Sequence, residues 1–190
     1  KQGHFVYGVD IDAGMLKYTK EKAEAEGLNI QLSVQDCTQL NVPIKSNFIY
    51  MTGNSFQHFL TNESQNALFR SVKKHLNTQG EFIFDTRNPI LHELSNVDIS
   101  NESIEKNGEI TKVISQEVYN PLTQVLECTS TYISSKNEYK DSIKLRYTYP
   151  LELKRILQQH GFELINIYGS WEKETFNANS ISMVVHARLK

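Results

Sequence analysis

An apolar run, Phe5-Val6-Tyr7-Gly8-Val9, stops on Asp10 and, after Ile11 and Asp12, gives way at once to a helix-forming segment. No other feature of the chain constrains its fold as much. A strand covered by helices on both faces reads as continuous apolar sequence rather than as alternation. The run therefore predicts a buried parallel strand, and with it an α/β architecture. Residues 13–26 carry an amphipathic helical pattern that stops at Gly27. An acid at the carboxyl end of such a strand stands in the crevice where doubly wound sheets take ligands. Asp10 would there accept hydrogen bonds from ribose hydroxyls. The same spacing also suits a plain helix cap, with Asp10 or Asp12 holding free backbone amides.

Residues 30–35 read as the next strand, and it too ends on an acid, Asp36, followed by Cys37. An Asp at that place can accept from the exocyclic amino group of an adenine, and the following backbone amide can donate to the ring. Ile11 supplies apolar contact with the base. One acid for ribose and one for adenine describe an adenosyl site. On these residues the chain resembles the class I S-adenosylmethionine-dependent methyltransferases. Their second strand commonly reads like Val-Tyr-Gly-Val-Asp-Ile-Asp-Ala-Gly-Met-Leu, as residues 6–16 do, and their third ends in Asp before a small residue. The resemblance implies a Rossmann-like, mostly parallel sheet closed by an antiparallel hairpin, with S-adenosylmethionine as cofactor. It assigns cofactor roles to Asp10, Ile11, Asp36 and Cys37.

The resemblance continues along the chain. Residues 48–52 fit the family's fourth strand, and residues 53–59, Gly-Asn-Ser-Phe-Gln-His-Phe, fit the turn after it. In the small-molecule members that turn lies beside the sulfonium, which adds Thr52 and Gly53 to the cofactor set. A helix over 61–77 puts Leu68, Val72 and Leu76 on one stripe, with Gly80 as its stop. Residues 81–85 are the fifth strand and 85–89 its loop. Residues 150–161 read as a helix with Pro150 in its first turn. Residues 162–168 and 180–188 then form the hairpin that separates this family from dinucleotide-binding dehydrogenases.

The family's first strand and its glycine-rich loop have no counterpart before Lys1, and the chain begins on Lys. The expectation is a fragment of a longer protein. The alternatives are a pseudo-enzyme that has lost part of its cofactor site, or strands rearranged or swapped between chains. In the family that strand lies between the second and the fourth, so its loss predicts two open strand edges.

Residues 96–149 change character. Segments 109–119, 123–135 and 140–149 alternate like half-exposed antiparallel strands, with a turn at Asn120-Pro121-Leu122-Thr123. They predict a β meander inserted into a core formed by 1–95 and 150–190. It would serve as a lid over the active site, or else as an edge extension or a homodimer contact.

Composition narrows the partners. Lys and Arg number 20 against 22 Asp and Glu, so no nucleic-acid footprint is indicated. No apolar stretch is long enough to span a bilayer, and no membrane association is expected. Two cysteines, Cys37 and Cys128, suit neither a disulfide scaffold nor a metal site, and a reduced, cytoplasmic protein is the default.

Methyl transfer from a sulfonium is an in-line displacement that rests on proximity and orientation. A general base is needed only if the acceptor atom arrives protonated, and His58 is the candidate. Asn54 and Ser55 would orient the acceptor, or else cap the turn. Arg87 and Arg146 would hold an anionic acceptor through paired hydrogen bonds, and Tyr147, Tyr149 and Trp171 would wall the pocket. The expected function is methyl transfer to a nitrogen or oxygen of a small molecule. The alternative is a non-catalytic, methyltransferase-like binding or scaffold protein, and a nucleotide-dependent dehydrogenase comes third.

Overall fold

In the computed structural model, which describes residues 3–90, 97–106, 109–135 and 137–190, the opening apolar run forms strand β1 (Tyr7–Asp10). Helix α1 (Ala13–Ala25) follows, capped by the Asp12 side chain, which accepts from the backbone of Gly14 and Met15. Strand β2 (Gln31–Val34) pairs parallel with β1, Asp10 facing Val34. A short 3₁₀ turn, Cys37–Gln39, then ties this unit to the rest. Its Cys37 packs against the main core, and the Leu40 amide donates to Ser71 Oγ at 2.9 Å.

The main sheet has the order β3-β4-β10-β9. Strand β3 (Ser46–Met51) runs parallel to β4 (Leu76–Arg87), and β10 (Ser182–Leu189) lies antiparallel between β4 and β9 (Phe162–Tyr168). Alternation along β4 sends Phe82 and Phe84 to the face covered by α2 (Asn62–His75) and α3 (Pro150–Gln159), where they join Leu68, Phe69, Val72, Leu153 and Leu157 in one core. Phe69 is the hub, with the rings of Phe56, Phe82, Phe84 and Phe162 all within 6.2 Å of its own. Truncating such a ring typically costs about 3–5 kcal/mol. Among the described residues no hydrogen bonds join β1 to β3, so each of these strands presents one unpaired edge. Phe48 and Tyr50 stack beside that edge of β3 and stay exposed.

Helix α2 differs from its expected span. It ends at His75, because Leu76 turns to extended backbone and pairs with Ser46 in the sheet. Gly80 does not stop a helix. It sits in a bulge of β4, where four residues of β4 (77–80) oppose Asn47 alone, and a Cβ on Gly80 would meet the Asn77 carbonyl at 2.8 Å.

The inserted meander has four strands rather than three: β5 (Val97–Lys106), β6 (Glu109–Asn120), β7 (Val125–Ile133) and β8 (Glu138–Arg146), each antiparallel to the next. Residue 96, where the insertion was expected to begin, lies outside the described residues, as do 91–95. The 120–123 turn forms as read, with Asn120 Oδ1 accepting from Leu122 and Thr123. Tyr119, Leu126 and Tyr147 make a small core of the meander's own. Its exit is stitched to α2 where Gln65 Nε2 donates to Thr148 Oγ1 at 3.0 Å.

Candidate active site

Three strands carry an acid at or near their carboxyl ends. Asp10 closes β1, and its Oδ1 accepts the Asp12 amide at 2.9 Å. Asp36 follows β2 and caps the 3₁₀ turn through Oδ1, which accepts the Thr38 amide at 2.8 Å. The cap reading of these acids is thus real, but in each the second carboxylate oxygen keeps no partner among the described residues. Cys37 stands between them electrostatically: its thiol is pushed up by burial, then by Asp36, and more weakly by Asp10. Ile11, 73% exposed, offers its side chain to solvent beside Asp10. Two free acceptor oxygens on adjacent parallel strands and an uncovered apolar side chain fit an adenosine.

The turn after β3 is built from unusual backbone. Gly53 (φ 74°) and Asn54 (φ 57°) are consecutive left-handed residues, the first of them easy for glycine and the second tolerated by Asn. They launch the 3₁₀ turn Ser55–His58, in which Ser55 Oγ donates to the Thr52 carbonyl at 2.6 Å. Thr52 and Gly53 are exposed, as is His58, which has no hydrogen-bond partner among the described residues. Gln57 is fully buried, and both its amide atoms lack partners, as do Asn54 Oδ1 and Thr86 Oγ1. An unpaired buried polar group costs about 1–3 kcal/mol. This loop therefore carries hydrogen-bonding capacity that a ligand or ordered water must satisfy.

Asp85 completes the edge. The sequence places it at the end of the fifth strand and the start of a loop at the ligand-binding edge but gives it no role, although an apolar run stopping on Asp, the signal at Asp10 and Asp36, is present there too. The structure buries it at 8% exposure, with Oδ1 accepting the Asn54 amide at 2.8 Å and Oδ2 the Trp171 indole N–H at 3.0 Å.

The expected substrate residues separate. Trp171 joins this edge. Arg87, half-buried at the end of β4, lies near Cys128 of the meander, and its side chain has no hydrogen-bond or ion-pair partner among the described residues; the Cys128 thiol is pushed up to about 11 by burial and by Glu117. Arg146 has a different use from the one expected. Its guanidinium is buried and donates to Glu152 Oε1 at 2.7 Å, Asn62 Oδ1 at 2.9 Å and the Leu60 carbonyl at 3.4 Å. Tyr147 packs edge-to-face on Tyr119 in the meander core. No group of His, Cys, Asp and Glu suited to a metal ion occurs among the described residues, and none of their helices is long and apolar enough to cross a membrane.

Parallel strand pairs with acids at their carboxyl ends, one of them joined in one sheet to a C-terminal antiparallel pair, match the class I methyltransferase architecture. Residues 1–80 match the family model described as a methyltransferase domain. These residues belong to that family, and the chain as a whole has the fold of class I S-adenosylmethionine-dependent methyltransferases. Among solved structures it is similar to the CcbJ methyltransferase of Streptomyces caelestis, with 23% identity and a TM-score of 0.84 over 98% of this chain and 75% of that one. It is also similar to an S-adenosylmethionine-dependent methyltransferase of Clostridium acetobutylicum, at 16% identity and a TM-score of 0.83, again over 98% and 75% of the two chains. The amino pentose methyltransferase CalS10 of Micromonospora echinaspora matches at 10% identity and a TM-score of 0.69, over 100% and 85%. No curated protein matches the sequence.

Proposed function

We propose that the chain is an S-adenosylmethionine-dependent methyltransferase that methylates a nitrogen or oxygen of a small molecule. One observation carries this reading: Asp10 and Asp36 end adjacent parallel strands, each with a free carboxylate oxygen, inside the segment that matches the methyltransferase domain. The amino pentose specificity named for CalS10 supports a small acceptor.

Asp10 would hold the ribose hydroxyls, Asp36 and the Cys37 amide the adenine, and Ile11 its face, with Thr52 and Gly53 beside the reacting end. Bound there, the cofactor supplies a methyl group activated by the positive sulfur. What remains for the protein is orientation and proton management. His58, without a hydrogen-bond partner among the described residues, takes the proton of an acceptor that arrives protonated. Asn54 and Ser55 orient the acceptor. Arg87 supplies positive charge where β4 meets the meander, and the meander excludes water as a lid. A soluble cytoplasmic setting is the matching proposal for location.

The test is production of S-adenosylhomocysteine by the full chain against a panel of amino sugars, amines, phenols and small carboxylates. Turnover with one class of acceptor supports the reading. Cofactor binding with no turnover on any acceptor would favour the scaffold alternative.

A further inference from the structure

We propose that Asp85 is the positioning residue of this site, a buried carboxylate that locks the turn after β3 to the loop after β9 and so sets the wall against which the acceptor lies. The inference rests on the methyltransferase reading above and adds a residue and a role to it.

On β4, Asp85 shares its sheet face with Glu81 and Ile83, away from the helix-covered core. It is nevertheless buried, because two loops close on it. Each oxygen has one donor: the Asn54 amide at 2.8 Å and the Trp171 indole at 3.0 Å. Ser55 Oγ on the Thr52 carbonyl and buried Phe56 hold the turn from within and from the core side, and the Asn54 amide ties its first residues to β4. Asn54 keeps left-handed backbone directly after left-handed Gly53, and its side chain makes no capping bond of its own. That turn carries Ser55, Gln57 and His58. Trp171 sits in a small, well-closed turn on the end of β9, in which Lys173 N donates to the Ser170 carbonyl at 3.1 Å and Gly169 N to the Glu174 carbonyl at 2.9 Å. Its indole bond to Asp85 is the hydrogen bond among the described residues that fastens this turn to the β4 edge. One carboxylate thus fixes the candidate base and acceptor-orienting groups relative to an aromatic wall. A carboxylate suits this place because both donors are N–H groups and an amide offers only one accepting oxygen.

Trp171 is the single tryptophan of the chain, so its emission reports this hydrogen bond without any ligand. Asp85→Asn keeps the volume but sets an NH2 against one of the two donors. In that variant the Trp171 emission should shift to the red and become more accessible to acrylamide. The catalytic constant should fall about a hundredfold, as expected for a loss of alignment, with the KM for S-adenosylmethionine changed by less than about threefold. Trp171→Phe, at a 43% exposed position, cuts only one link. It should lower kcat about tenfold alone, and by less than about twofold in the Asp85→Asn background, the non-additivity of two groups acting through one contact.

Unchanged Trp171 emission in folded Asp85→Asn overturns the link, and additive kinetic losses overturn the coupling. If Asp85→Asn does not fold, Trp171→Phe decides alone, and a wild-type kcat there overturns the proposal. Failure of the wild-type chain to bind cofactor is a separate result, read from the wild type, and counts against the methyltransferase reading itself.

Discussion

Arg146 and Glu152 form an ion pair of 2.7 Å with side chains only 8% and 16% exposed, joining the end of β8 to the first turn of α3. Asn62, the first residue of α2, completes the contact on the same guanidinium nitrogen. The meander is therefore fastened to both helices of the core by a charge pair held away from water.

Removing one member of such a pair strands the other charge in a poorly solvated place, at a cost of about 3–5 kcal/mol. Arg146→Ala should lower the stability of the chain by that amount in urea unfolding. Replacing both residues, as Arg146→Met with Glu152→Leu, should recover most of the loss. A destabilisation below about 1 kcal/mol would be the behaviour of an exposed pair and would contradict this placement.

Asp36 has two jobs that substitution can separate. Asp36→Ser keeps an oxygen for the Thr38 amide, whereas Asp36→Ala loses it at about 1 kcal/mol. Both should weaken adenosyl binding by comparable factors, while only Ala should lower the unfolding midpoint. Wild-type cofactor affinity in Asp36→Ser would reduce Asp36 to a cap.

Stability should also depend on pH through His160. Its ring stacks on Phe69 with centroids 5.7 Å apart, and Nε2 donates to Asn66 Oδ1 at 2.8 Å. Burial, then Arg70 and Lys73, hold its pKa below the ordinary 6.5. The folded state therefore binds fewer protons than the unfolded one just below pH 6.5. Its contribution is complete above that pH and is lost as the pH falls through the lower folded value. The urea midpoint should decline on acidification below neutrality, and His160→Gln should flatten that part of the profile. An identical slope in the variant would remove His160 from the pH dependence.

The sequence disclosed what is written locally. The strand ending at Asp10, the Asp12-capped helix, the strand before Asp36 and the Pro150 helix start all rest on patterns within a dozen residues. Strand β5 escaped because Val97, Ile99 and Ile104 are all about half-exposed or more, so its alternation marks no core. The end of α2 was misplaced because Leu76 fits the helical stripe, and only its pairing with Ser46 draws it into the sheet. The use of Arg146 was hidden for a similar reason: Asn62 is 84 positions away in the chain. The bond between Asp85 and Trp171 spans 86. Contacts at such separations depend on topology, which composition and periodicity do not encode.

The central claim is that Asp10 and Asp36 hold an adenosyl group. Calorimetric titration of the full chain with S-adenosylhomocysteine, compared with Asp10→Ala and Asp10→Asn, tests it most directly. Asn keeps an oxygen for the Asp12 amide and loses only the second carboxylate acceptor, so its folding should match wild type. The account predicts binding by the wild type, with affinity reduced in both variants by roughly 1–3 kcal/mol. That loss is about 5- to 150-fold in Kd. Equal affinity in wild type and in folded Asp10→Asn and Asp10→Ala would contradict it.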